Sequence, residues 1–201
     1  MALNFANNNS LSAIDTKPSG LSGGALNLIS TQTASSSSTI SFTSGIDDTY
    51  DSYVFKFYNI HPATDNVEFQ FNMSIDGGSN YNVTKTSTFF RALHDESDAN
   101  ARLEYRTGQD LAQGTGFQTF NIRLGNGNDE CFVGNLFLYS PSSTTFVKHF
   151  MSVSNDYGDN NQSDVHYLAG YGNTTSAINA VQFKMSSGNI DSGVIKLYGV
   201  S

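Results

Sequence analysis

The side chains of this chain that could do chemistry are few and scattered. His94-Asp95-Glu96 sets an imidazole beside two carboxylates, a pairing that can tune a general base. Consecutive residues of an extended chain point to opposite sides, so His94 and Asp95 do not converge, and the polar run after them suits an exposed loop. Three stretches are rich in the oxygen ligands that Ca2+ takes: Asp47-Asp48 with Asp51, Asn126-Gly127-Asn128-Asp129-Glu130, and Asp156-Tyr157-Gly158-Asp159-Asn160-Asn161. None has EF-hand spacing, and Asn, Asp and Gly are also the ordinary residues of turns. His61, His94, His149 and His166 form no i, i+2 or i, i+4 pair that would present two ligands on one face. Cys131 is the sole cysteine; it opens an apolar run and reads as a small buried hydrophobe. Tyr157, Tyr167 and Tyr171, with Asp159 and Asn160 nearby, are the mixture that stacks on sugar rings and bonds their hydroxyls, although such tyrosines equally suit sheet margins. The expectation is no catalytic set and no cofactor, with Ca2+ left open for the Asp- and Asn-rich loops.

The elements that would hold these residues are strands. Val67, Phe69, Phe71, Met73 and Ile75 alternate with Glu68, Gln70, Asn72 and Ser74, then stop at Asp76-Gly77-Gly78-Ser79. That period of two predicts a strand with an apolar face inward, a polar face in water and a tight turn at its end. Similar runs follow at close spacing: 40–42, 53–60, 81–84, 88–93, 103–106, 117–124, 131–139, 146–154, 165–170, 181–185 and 194–200. No helical period competes with them. About a dozen short strands with Gly-rich connections predict an all-β fold, an antiparallel β-sandwich of jelly-roll type. Segment 131–139 is apolar on both faces, with Phe132, Leu136 and Leu138 on one side and Val133, Phe137 and Tyr139 on the other. It reads as a central strand, or as one whose second face meets another chain.

Composition narrows the partners. Hydrophobic residues make up 38% of the 201 and charged residues 14%, so the wet surface must be built mainly from Ser, Thr, Asn and Gln. A net charge of −8 argues against a phosphate-binding groove and hence against nucleic acid. The first residues lack the basic start and apolar stretch of a signal peptide, and no run approaches the length of a membrane span, so the expectation is synthesis in a cytoplasm without membrane insertion. Residues 1–37 differ in texture from 38–201. Ser, Asn and Gly punctuate isolated Leu3, Phe5, Leu11, Ile14, Leu26, Leu28 and Ile29, too little apolar surface for a core but suited to an extended N-terminal arm docking on a neighbour.

Several phrases carry a family likeness: Phe55-Lys56-Phe57-Tyr58-Asn59-Ile60-His61-Pro62, Thr88-Phe89-Phe90-Arg91-Ala92, Ser142-Ser143-Thr144-Thr145-Phe146-Val147-Lys148 and Gly193-Val194-Ile195-Lys196-Leu197-Tyr198-Gly199-Val200. From about residue 38 onward the chain resembles virion structural proteins of tailed bacteriophages, especially those of marine cyanobacteria. The resemblance implies a non-enzymatic, particle-bound subunit made in a bacterial host, with other virion proteins as partners, and transfers no functional residues. Fibre shafts need repeats and none is visible, so a compact knob, decoration or tail-appendage subunit is expected. The arm would anchor it, and Val133, Phe137 and Tyr139 would form an oligomer face, most simply of a homotrimer. Two other readings compete: a host-glycan-binding module using Tyr157, Asp159, Asn160, Tyr167 and Tyr171, and a glycoside-cleaving enzyme, for which no carboxylate pair stands out.

Overall fold

A computed structural model describes residues 25–158 and 161–201. The expected arm residues Leu3, Phe5, Leu11 and Ile14, and the expected glycan contacts Asp159 and Asn160, lie outside them. The described chain is all β: β1 (Leu26–Ser37), β2 (Ile40–Phe42), β3 (Ser52–Pro62), β4 (Phe69–Ser74), β5 (Lys85–Asp95), β6 (Ala101–Tyr105), β7 (Gln118–Thr119), β8 (Cys131–Tyr139), β9 (Lys148–Gly158), β10 (Gln162–Gly172), β11 (Ala180–Met185) and β12 (Ile190–Val200). Every pairing is antiparallel. Eight strands form one sheet in the order β1-β12-β3-β8-β9-β10-β5-β6, and four form a second in the order β2-β11-β4-β7. No helix among the described residues is long and apolar enough to cross a membrane.

Phenylalanines clamp the two sheets together. Phe57 and Phe132 project from the larger sheet, and Phe69, Phe183 and Phe120 from the smaller sheet and the chain just after β7; neighbouring rings stand 5.2–6.3 Å apart between centroids. All five are buried, and edge-on and offset contacts of this kind add to the gain from removing apolar area from water.

Where the described chain departs from the sequence expectations, local hydrogen bonding gives the reason. Leu26–Ser37, expected within the arm, is β1, an edge strand paired along its length with β12. A register shift between Leu28 and Ser30 turns Ile29 inward onto the core while Leu26 and Leu28 stay exposed on the sheet's outer side. Irregular alternation from this bulge, among Ser and Thr, is what hides the strand from a period-of-two reading. The segment 81–84 forms no strand, because its carbonyls serve side chains: Tyr81 O accepts from Asn72 Nδ2 at 2.7 Å and Val83 O from Lys85 Nζ at 2.7 Å. The run 117–124 keeps only two ladder residues, since the Asn121 side chain takes the Phe69 N–H at 2.7 Å. Asp156-Tyr157-Gly158, expected in a loop, belongs to β9, which stays in register with β10 as far as Gly158 opposite Gln162. The turn after β4 does use positive φ, at Gly77 (72°) and Gly78 (91°), where Asp76 accepts hydrogen bonds from Ser74 Oγ and Asn80. The polar face of β4, expected in water, is not there: Asn72 and Ser74 are buried.

Candidate functional site

Four places gather chemistry-bearing or unpartnered side chains. The first is inside the sandwich. On the inner face of β5, β9 and β10, polar residues stand at the parity that elsewhere carries Phe and Leu: Arg91 follows Phe89 by two, Asp164 and His166 precede Leu168, and Asp156 continues the row of Phe150, Ser152 and Ser154. Arg91 Nη1 meets Asp164 Oδ2 at 2.7 Å and its Nε meets Glu104 Oε1, also at 2.7 Å. Gln162 Nε2 donates to Asp164 Oδ2 at 3.1 Å. Beside them His166 Nδ1 lies 3.1 Å from Asp156 Oδ1, both side chains fully buried. Burial pushes the Asp156 carboxyl above its usual range, against the opposing pull of His166 and Asn121. Glu104 is held below the usual range, first by its hydrogen bond from Arg91.

Another buried basic side chain stands farther along the inner face of β5, six residues before Arg91. Lys85 is wholly inaccessible; its Nζ donates to Asn72 Oδ1 at 2.6 Å and to Val83 O at 2.7 Å. Desolvation lowers its pKa from 10.5 to about 7. Lys148 is buried likewise, donating to the carbonyls of Ser143 and Phe146, and its pKa is lowered by the same cause. These groups bond to each other and to backbone, which fits a fastening role for the sheet interior.

The third place is a polar hollow of about 370 Å³ lined by Asn59, His61, Asp129, Glu130, Cys131 and Asp191. Its groups are engaged: His61 Nε2 contacts Gly127 O at 3.0 Å, and the Glu130 carboxylate accepts the Gly127 N–H. Burial raises the Cys131 pKa, which keeps the sulfur a thiol and a weak nucleophile. Cys131 is half-buried, not the buried hydrophobe expected, because it begins β8 at the rim of this hollow. Among the described residues no group of three or more His, Cys, Asp or Glu side chains could hold a metal ion. Asp47 spends its carboxylate on the Thr49 N–H and the Tyr53 hydroxyl, and His94 contacts Asp98 across an exposed turn at 2.9 Å.

The fourth place is the outer face of the larger sheet. Register aligns Leu28, Tyr198, Val54, Phe137, Met151, Ala169 and Thr88 in one row across seven strands. The next row runs Lys196, Lys56, Asn135, Val153, Tyr167, Phe90 and Tyr105, and a third runs Val133, Asn155, Val165, Ala92 and Leu103. At the other margin lie Tyr139, His149, Tyr171 and Thr86. No carboxylate stands in these rows, although the chain carries a net charge of −8. Many of the apolar side chains are well exposed, Leu103 by 71%, Met151 by 52% and Val153 by 43%. Phe90 and Tyr167 stack at 4.8 Å and 11°. Between Tyr139, His149, Met151, Ala169, Tyr171 and Thr86 the surface dips into a trough of about 520 Å³, with Phe146, 70% exposed, on the neighbouring turn.

Every expected site residue among those described can now be placed. Val133, Phe137 and Tyr139 point outward from β8, and Tyr167 and Tyr171 outward from β10, so two sets proposed for different roles share one surface. The two tyrosines are strand residues, not loop residues. Tyr157 also lies in β9, its hydroxyl 3.2 Å from Asn161 Oδ1. All four histidines lie within strands; His166 is buried and His149 is on the outer face, 6.2 Å from the Tyr171 ring. Sequence reasoning missed the buried Arg91–Asp164 and Asp156–His166 pairs and the outer residues Phe90, Met151 and Val153; the period of two assigns all of them to their faces once the register is fixed. Compared with protein-family models, curated proteins and solved structures, the chain matches none.

Two outcomes follow from the buried charges. Arg91→Met leaves the Asp164 carboxylate buried without its cation and should cost about 3–5 kcal/mol in urea unfolding, whereas Arg91→Met with Asp164→Leu should recover most of that loss. Because the folded Lys85 amine has the lower pKa, the unfolded chain binds more protons between pH 7 and 10.5 and stability should rise with pH across that window. The rise attributable to Lys85 is on the order of 4 kcal/mol, read as the difference in pH slope between the wild type and Lys85→Met.

Proposed function

We propose that this chain is a non-enzymatic structural subunit of a bacteriophage particle, a compact surface, decoration or tail-appendage component that assembles through its N-terminal segment and its β domain. The observation that carries the reading is the outer face of the larger sheet: broad, apolar, without a carboxylate in its outward rows and, among the described residues, exposed on β8, β9, β10, β5 and β6. A surface of that extent on a polypeptide of this size signals contact with another macromolecule. The phrases that resemble virion proteins point to a particle as the setting.

We infer further that the sandwich is a jelly roll enlarged by two hairpins. What supports it is strand order. With β5–β6 and β9–β10 set aside, the remaining eight strands, numbered afresh along the chain, lie as 1-8-3-6 over 2-7-4-5, the double Greek-key order of a roll. The first hairpin enters between the fourth and fifth strands of the roll, and the second between the sixth and seventh. Both join the same sheet and double its width, and they supply most of the exposed apolar face.

One observation favours a glycan-binding reading as well: the exposed Phe90–Tyr167 stack lies beside Tyr105, whose hydroxyl donates to Asp110 Oδ2 at 2.6 Å, a ring platform with hydrogen-bonding groups at its rim. Quantitative mass spectrometry of purified particles from a phage encoding the chain should find it in a copy number set by particle symmetry. Its absence from particles removes the structural reading, and selective retention of the isolated chain on a glycan array, lost in Phe90→Ala, would move the assignment to receptor recognition.

A further inference from the structure

We infer that the outer face of the larger sheet is a self-association surface: two copies of this chain pair face to face about a two-fold axis, each seating Phe146 in the trough of the other. The inference rests on the assembly reading above and names its first partner as a second copy. Three observations converge on that occupant.

The first is area. The outward rows of seven, seven, five and four positions, spaced about 4.8 Å between strands and about 6.8 Å between rows, give a footprint of about 750 Å², close to what each partner contributes to a standard protein interface. The second is charge. A chain with net charge −8 repels its own copies unless the approaching surfaces are free of acid, and no carboxylate stands in the four outward rows while Lys56 and Lys196 do. Opposed copies of this face bring no carboxylates together, and the lysines lie toward the β12–β3 side, where they can stay at the rim in water. The third is relief. Phe146, at 70% exposure, is an aromatic knob on the turn before β9, and the trough beside it is walled by Tyr139, His149, Met151, Ala169 and Tyr171. A knob and a hollow on the same surface are satisfied together by a two-fold operation, which makes each contact twice. A threefold cluster, the arrangement expected from sequence, sets one patch against a different one and would not pair this face with itself.

The test is sedimentation velocity of the full-length chain between about 1 and 100 µM, concentrations that reach the weak end of the affinities shown by interfaces of this size. The expected result is a species of twice the 21.8 kDa of one copy. Met151→Asp with Val153→Asp puts carboxylates at the centre of the face on side chains already half in water, so it should sediment as a single copy while its circular dichroism spectrum and melting transition remain those of a folded sandwich. Phe146→Ser lies on a turn outside the core; it should raise the dissociation constant by about tenfold or more and keeps the inference testable if the double variant fails to fold. Ile75→Asp, exposed at the end of the smaller sheet, should leave pairing unchanged. A wild-type chain that sediments as one copy throughout, or as three, overturns the inference, as does a folded double variant that still pairs. These results are distinct from failure of the assembly reading: a chain found in particles but single in solution loses only the pairing, and one that pairs but is absent from particles loses only the particle.

Discussion

The two sheets differ in width, and that mismatch organises the molecule. Four strands cannot cover the inner face of eight. Over β12, β3 and β8 the smaller sheet supplies the opposing layer, and the inward positions there are Phe, Leu and Ile, ending in the Phe57–Phe69–Phe183 contacts. Over β9, β10 and β5 the cover is shared: β4 reaches across with Phe71 on Phe150 and Asn72 on Lys85, and the chain between β6 and β8 supplies the rest. Ser87 Oγ donates to Gln118 Oε1 at 2.6 Å, and Ser154 Oγ donates to Phe120 O. Irregular chain brings unpaired carbonyls and N–H groups into the interior, and these must be satisfied. Polar side chains therefore stand among Phe89, Phe150 and Leu168 on this inner face: Lys85 bonds Asn72 and the Val83 carbonyl, Ser87 bonds Gln118 and the Leu111 N–H, and Arg91, Asp156, Asp164 and His166 pair among themselves.

This explains why buried charge is concentrated at one end of the sandwich. A salt bridge out of water seldom contributes more than well-packed hydrocarbon would, so Arg91 with Asp164 is poor evidence of added stability. Its geometry does fix register. Arg91 on β5 grips Asp164 on β10 and Glu104 on β6, so three neighbouring strands are tied by one guanidinium, and a one-residue slip of any of them would break the contact and expose a charge to the core. Within that hairpin β6 has little else to anchor it: its side chains are exposed or half-buried, with none in the core.

The same division marks what was legible in the sequence. Strands of the phenylalanine-packed half announced themselves: β4 alternates Phe and Met with polar residues at a clean period of two, and β8 sets Phe and Leu along one face. Strands facing the loops did not advertise which side was inward: in β9, buried Lys148, Ser152 and Asp156 alternate with exposed His149, Met151 and Val153, so polarity is nearly inverted with respect to burial. A reading that sends polar residues to water places that strand the wrong way round. The stretch β1 reads as arm for a related reason, since its Ser and Thr residues pair as an edge and only Ala34 and the bulged Ile29 face the core. Of the outward residues, Val133, Phe137 and Tyr139 could be picked out because their strand is greasy on both sides, whereas Phe90, Met151 and Val153 acquire meaning only from the cross-strand register that lines them up.

Apolar residues on the outer face raise the question of why such a sheet would associate by its face and not by its edges, the commoner hazard of open sheets. The edges are guarded. At one end β6 is five residues long and carries Arg102 and Glu104, with Arg106 just beyond, and Arg102 and Arg106 lie 3.6 and 3.4 Å from the Glu104 carboxylate. A strand added there would have to desolvate that cluster. At the other end β1 is interrupted by its bulge, which breaks the even ladder of donors and acceptors an incoming strand needs. With both edges closed to strand addition and the inner face occupied, the outward rows of β8, β9, β10 and β5 are the part of the large sheet left to make contacts. Their side chains alternate with a buried polar interior that cannot shift to accommodate them, so the face is presented on a rigid, charge-tied platform, the condition under which apolar surface becomes a specific contact.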